Sequence, residues 1–145
     1  MEDDIEVMRD PQLLSEIIDR IDVDWDILFT DRDMRDAEGR HKVCYLASKR
    51  PDFVAHSNDF ALKKSINSDV YQIGARWGAH SMILRRSGIE KLLQFFLAHQ
   101  VFFPYDMDYI LPRGLKMYTV LQDIVSNQPG APSDNGGPNY KNEKP

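Results

Sequence analysis

The stretch "SMILRRSGIEKLLQFFLAHQ" constrains this chain more than any other, because a short apolar run passes directly into a helical pattern with its own start signal. Ser81 to Arg85 reads as a strand. Ser87-Gly88-Ile89-Glu90 fits a capping box, in which the serine caps the glutamate amide and the glutamate reaches back. Beyond it, Ile89, Leu92, Leu93, Phe96 and Leu97 recur at helical spacing and are expected to form the buried face of the helix. A strand that leads straight into an amphipathic helix favours an α/β layer structure.

Other segments extend that pattern. In "DPQLLSEIIDRID", Asp10 is placed to cap a helix and Pro11 to occupy its first helical position. Leu13, Leu14, Ile17, Ile18 and Ile21 then form an apolar stripe. "WDILFT", Trp25 to Thr30, is a short run of strand formers, and "HKVCYL" is a second strand candidate. Between them "DRDMRDAEGR" reads as loop. From Gln128 onward Pro, Gly, Asn and Ser dominate, which predicts a loop and then a disordered tail over 128–145. With 145 residues, 42% of them hydrophobic, the chain is long enough for one domain with a real core.

Composition narrows the function classes. A lone cysteine, Cys44, excludes an internal disulfide framework and gives no argument for an oxidising compartment, which points to a cytoplasmic location. The apolar run from Leu92 to Phe103 is interrupted by Gln94, His99 and Gln100 and is too short to cross a bilayer, so no transmembrane segment is expected. No signal peptide or anchor is visible. Residues 1–38 carry 14 acidic and 4 basic side chains, a net charge of −10, whereas residues 39–145 carry 9 and 14, a net charge of +5. That asymmetry is poor for nucleic-acid binding by the whole chain. It suits a site where a cation meets an anionic ligand, and equally a solvated acidic surface.

The acidic end opens with Glu2, Asp3 and Asp4. If "EDDIEV" finishes a strand, Glu2 and Asp4 point to one face and make half of a cation site. Oxygen ligands of this kind select hard ions such as magnesium or manganese, which commonly hold a phosphate or diphosphate. Acidic residues leading into the helix after Pro11 account for the triplet equally well. Trp77, Tyr105 and Tyr109 are candidates to stack on a sugar ring or, more ordinarily, to fill the core. "FFPYDMDY" reads as an aromatic-lined turn with surface acids or as a carboxylate site.

Five segments, "EDDIEV", "DWDILFT", "WGAHSMILRRSGIEKLL", "PYDMDYIL" and "NQPGAPSD", follow one another in an order and spacing that resembles glycosyltransferase family 25, the lipopolysaccharide and procollagen galactosyltransferase family. The resemblance runs from Glu2 to Asp134. It implies the C-terminal part of a GT-A type domain over residues 1–127, a mixed sheet with flanking helices. It implies transfer of a sugar, galactose or glucose, from a nucleotide-diphosphate donor to a glycan, lipopolysaccharide or hydroxylysine-type acceptor. Glu2, Asp3 and Asp4 would be the metal motif, binding manganese or magnesium. Trp77, Gly78, His80, Gln128, Ser133 and Asp134 would line the substrates, and Asp106 would take the acceptor proton, with Asp108 next on the same face if that segment is extended. Met82, Arg85 and Ile89 depart from the Tyr, Ser and Ala usual in the family, which bears on acceptor choice. In the family a nucleotide-binding region of βαβ units precedes the acidic motif, and only Met1 precedes it here, so a missing N-terminal half is expected as a partner. The alternative is a non-catalytic domain that binds a partner, which an exposed apolar patch of several hundred Å² would favour.

Overall fold

Ile27, Leu28 and Phe29 are all fully buried, and that uninterrupted burial identifies the strand they form as the centre of the molecule. The computed structural model describes residues 5–33, 45, 47–51, 54, 57–76 and 78–128. In chain order these form β1 (Ile5–Val7), α1 (Leu13–Asp19), β2 (Ile27–Phe29), α2 (Ser57–Phe60), β3 (Lys63–Ser65), β4 (Val70–Ile73), β5 (Met82–Leu84), α3 (Arg86–His99), α4 (Tyr105–Asp108), β6 (Met117–Val120) and β7 (Val125–Asn127). A five-stranded mixed sheet has the order β3-β4-β6-β2-β5, and β1 pairs with β7 in a separate antiparallel ribbon. Only β2 and β6 run parallel, with Ile27 opposite Met117 and Phe29 opposite Thr119. The chain is thus mixed α/β, as the strand-to-helix pattern predicts.

Because side chains alternate along a strand, β2 feeds two cores. Ile27 and Phe29 join Ile73 and Met117 beneath Leu92 and Phe95 of α3. Leu28 joins Val70, Tyr118 and Val120 against Ile17, Ile21 and Trp25 on the α1 side. The α1 stripe is therefore the expected one: Ile17 and Ile21 are buried, and Leu13, Leu14 and Ile18 pack at its rim. The start of α1 differs from expectation. Asp10 accepts the Gln12 amide at 3.0 Å and its carbonyl accepts the Leu13 amide at 3.1 Å, so it organises a leading turn through Pro11 rather than capping the helix itself.

Two expectations for α3 are corrected. The helix begins one residue after Arg85 and has no side-chain cap. Ser87 instead donates to Asp26 Oδ1 at 2.7 Å, and Glu90 pairs with Arg86 at 2.8 Å, because a buried tertiary carboxylate is a stronger acceptor for the serine than a local amide is a donor. The buried face is Gly88, Leu92 and Phe95, while Ile89, Leu93 and Leu97 are 44%, 57% and 84% exposed. Glycine decides between the two stripes. A Cβ at position 88 would lie 2.7 Å from the Asp26 carbonyl oxygen, so only a glycine-bearing face can approach β2 this closely. Leu92→Ala should therefore cost about 2–3 kcal/mol through the cavity it leaves, whereas Leu93→Ala should change stability by less than about 0.5 kcal/mol. Equal losses in urea melts would contradict this rotation of the helix.

Asp26 locks the unit. It receives Lys91 Nζ at 2.6 Å and the Lys116 amide at 2.7 Å as well as Ser87, joining α3 and the start of β6 to β2. Burial alone pushes its carboxyl up, but the Lys91 ammonium, the Lys116 amide and the Ser87 hydroxyl outweigh it and hold the group below its ordinary value of 3.8. A carboxyl lowered in the folded state contributes stability that is present above that ordinary value and is lost as pH falls through the lowered one. Acid titration of unfolding should show this loss below about pH 4, and Asp26→Asn should be less stable at neutral pH and flatter in the acid limb. Parallel curves for the two proteins would sink the assignment.

Tyr45, assigned to a strand in "HKVCYL", is helical. The rest of that segment, residues 34–40 of the expected loop and the tail beyond Gln128 lie outside the described residues. Among the described residues no helix is long and apolar enough to cross a membrane.

Candidate functional site

Where β2 ends, Thr30 and Asp31 remain buried although an Asp-rich sequence there reads as loop. The carboxyl end of a parallel strand pair is where α/β sheets place their sites, since the connecting chains diverge there. Thr30 Oγ1 lies 2.6 Å from Ser81 Oγ and 3.0 Å from the Val125 carbonyl, donating to the carbonyl while accepting from the serine. The Thr30 carbonyl accepts the Ile124 amide at 2.9 Å, and the Ile124 carbonyl accepts Met8 at 2.8 Å. One threonine thus joins β2, the entry to β5 and the β1–β7 ribbon.

Asp31 builds a second, charged hub beside it. Oδ2 receives Arg76 Nη2 at 2.5 Å and lies 2.9 Å from His80 Nε2. The Asp31 carbonyl receives Thr119 Oγ1 at 2.6 Å and Arg76 Nη1 at 3.1 Å. All four residues are buried, His80 to 3% exposure. An ionised carboxylate can only accept, so His80 carries a proton on Nε2. The Arg76 guanidinium also sits 4.5 Å from the Phe29 ring centroid, a cation over an aromatic face.

Arg76 to Ser81 belongs to the connection that leaves β4 and crosses β6 and β2 to reach β5. Gly78 turns this segment at φ +87°, and a side chain there would also crowd His80 Nδ1 at 3.3 Å. The Tyr109 hydroxyl lies 3.1 Å from the Gly78 carbonyl and 3.3 Å from that of Arg76, fastening the crossing to the end of α4. Gly78 and His80, two residues named from the sequence, are therefore brought together with the turn that carries Asp106.

α4 itself departs from expectation. Residues 105–108 form a helical turn, not an extended segment, so Asp106 and Asp108 do not share a face. Asp106 is half-buried. Asp108 is fully enclosed: Arg50 Nη1 donates to both of its oxygens at 2.8 and 2.7 Å, and the Phe102 and Phe103 amides donate to Oδ2 at 2.6 and 3.2 Å. With its side chain fully buried and both oxygens bonded, this carboxylate ties Arg50 and the Phe102–Phe103 backbone to α4. Tyr105 is half-exposed and stacks at 5.7 Å on buried Tyr109, while burial raises the Tyr105 phenol above its ordinary value.

Gln128 is exposed and follows β7 directly, and Ile5 pairs with Asn127, so the first described residue and the "NQ" of the last motif are neighbours. Glu2, Asp3, Asp4, Trp77, Ser133 and Asp134 lie outside the described residues. Among the described residues no group of three or more His, Cys, Asp or Glu is placed to hold a metal ion. A cavity of about 260 Å³ lies between Phe60, Ile73, Leu111 and Met117. Since Met117 begins β6 and Ile73 ends β4, it opens at the end of the strands opposite Asp31.

Sequence reasoning missed Asp31, Arg76, Thr119 and Arg50. The available signal was weak: an Asp directly after an apolar strand, and two arginines next to small residues or proline. The chemistry of the cluster is that of a buried polar scaffold, which holds Arg76, His80 and Ser81 against the end of β2. Comparisons of the chain with protein-family models, with curated proteins and with solved structures return no match.

Proposed function

We propose that this chain supplies the acceptor-side chemistry of a sugar transfer, in which a hydroxyl displaces the diphosphate of a nucleotide-sugar donor. The observation that supports this reading is the Tyr109 hydroxyl bond to Gly78, because it holds the "GAH" segment against the Asp106 turn, two motifs that lie far apart in sequence. On this reading half-buried Asp106 accepts the proton of the attacking hydroxyl, while Asp31 orients His80 and with it the backbone beside the acceptor. Glu2, Asp3 and Asp4 would hold manganese or magnesium, which when bound neutralises charge on the departing diphosphate. Galactose or glucose as the sugar, and a glycan, lipopolysaccharide or hydroxylysine-type acceptor, follow from the family resemblance.

The test is transfer of labelled sugar from UDP-galactose or UDP-glucose, with manganese present, by the chain together with a nucleotide-binding N-terminal half. Asp106→Asn should lower the rate by about 10²-fold, the usual loss for a general base, with an unchanged melting temperature. Full activity of that variant would remove Asp106 from the chemistry. Absence of transfer with either donor would sink the reading. A second reading, a non-catalytic partner-binding domain, is favoured by the solvent-facing apolar stripe on α3.

A further inference from the structure

Apart from the candidate site, the strongest unexplained feature is the cavity of about 260 Å³ at the opposite end of the sheet. Protein interiors are packed as densely as organic crystals, and few of their voids exceed a water molecule. The lining of a void forfeits the contacts it would otherwise make. Here the deep walls are Phe60, Ile73, Ile110, Leu111 and Met117, each 5% exposed or less. An engineered cavity of about 150 Å³ with walls of this kind stays dry and takes up benzene.

Contacts outside the void hold its walls in place. α2 lies against the end of β4 because residue 74 is glycine, where a Cβ would overlap the Asp59 carbonyl oxygen. The facing wall is the turn through Pro112 and Gly114, and Lys91 Nζ ties it to α3 by donating to the Gly114 carbonyl at 2.8 Å.

We propose that this cavity binds a small uncharged molecule built on one aromatic ring. Ring shape follows from the walls: the Met117 thioether favours the edge of an aromatic ring, and Phe60 offers a ring to pair with. Charge follows from the rim. Its ionic side chains, Asp59, Arg113 and Lys116, are all exposed, and Lys116 turns to Asp24 at 3.5 Å. Gln72 stands opposite Tyr118 of the other core, so its amide lies on the α1 face. A molecule that reaches the deep walls therefore meets no buried polar side chain among the described lining residues, and an ionic group carried there would be left unpaired. At the mouth, Asp59 and Arg113 are of opposite sign and favour neither an anion nor a cation. The cavity is remote from Asp31, so its occupancy is independent of sugar transfer.

The test uses the intact chain labelled with 13C-methyl methionine. On titration with phenol or toluene, the Met117 methyl resonance should shift and saturate with a Kd of about 0.1–1 mM, ordinary for so small a ligand. The methyls of exposed Met8 and of Met82, at the Asp31 end of the sheet, should hold their positions. Benzoate and benzylamine, similar in shape but charged, should bind at least about tenfold more weakly. Leu115→Trp, which brings a larger side chain from the half-buried lining into the space, should abolish the Met117 shift. Arg113→Gln should leave the phenol Kd within about twofold, since an exposed rim charge contributes little. A Met117 methyl indifferent to phenol and toluene overturns the proposal, as do equal shifts at Met8, tighter binding of either charged compound, or loss of phenol binding in Arg113→Gln. A Met117 shift that survives in folded Leu115→Trp overturns it too.

Discussion

Arg50→Ala should destabilise the fold by about 3–5 kcal/mol, because it strands the fully buried Asp108 carboxylate without its cation. Arg50 contributes more than charge. Its Nη2 donates to the His99 carbonyl at 2.7 Å and to that of Gln100, closing the C-terminus of α3, and its guanidinium lies 5.2 Å from the Phe95 ring centroid. Gln100 is the one non-glycine described residue at positive φ, +61°, a conformation that persists only where its surroundings impose it. Asp108→Ala should cost a similar amount, since the guanidinium then remains buried with half its acceptors. The Arg50→Met/Asp108→Leu double variant should lose much less than the sum of the single changes, because removing both ions also removes the desolvation penalty. Urea unfolding of the parent and these three variants makes the comparison. Single-variant losses below about 1 kcal/mol, the range of exposed pairs, would show that the pair is hydrated in solution.

The second large effect is expected at Asp31. Asp31→Ala removes the acceptor shared by Arg76 and His80, both buried, and should cost about 3–5 kcal/mol. Asp31→Asn preserves the shape and one acceptor oxygen but not the charge, and should cost roughly half as much. Thr119→Val, which leaves the Asp31 carbonyl with its Arg76 Nη1 bond, should cost about 1 kcal/mol. Thermal and urea melts that rank the three variants otherwise would contradict the hub. If Asp31→Asn folds, loss of sugar transfer in it would further tie the scaffold to the proposed reaction.

Much of the fold was legible because its signals are local. The α1 stripe, β2 in "WDILFT" and the strand-to-helix step at Leu84–Arg86 each follow from periodicity within a dozen residues. Of the residues singled out through motif resemblance, His80 lies 2.9 Å from Asp31 and Gly78 turns the chain beside it. Asp108 was read as chemistry because a carboxylate in an aromatic turn looks available until its partner is known. That partner, Arg50, is 58 residues away, and nothing within one element's length announces it. Asp31 was hidden for the same reason, its partners Arg76 and His80 lying 45 and 49 residues on.

By itself the amino-acid order determined α1, β2 and the step from β5 into α3, since hydrophobic period and turn residues act over one element's length. It named the wrong stripe of α3 as the buried face, since Ile89, Leu93 and Leu97 are exposed. Only the tertiary structure decided which stripe is buried, because the choice depends on Gly88 meeting the Asp26 carbonyl across 62 residues of chain. The same holds for Ser87, taken from its expected cap by Asp26, and for Asp108, closed off by Arg50. The physical reason is common to all three: a buried charge must find its partner wherever the fold supplies one, and desolvation makes that pairing outweigh local preference.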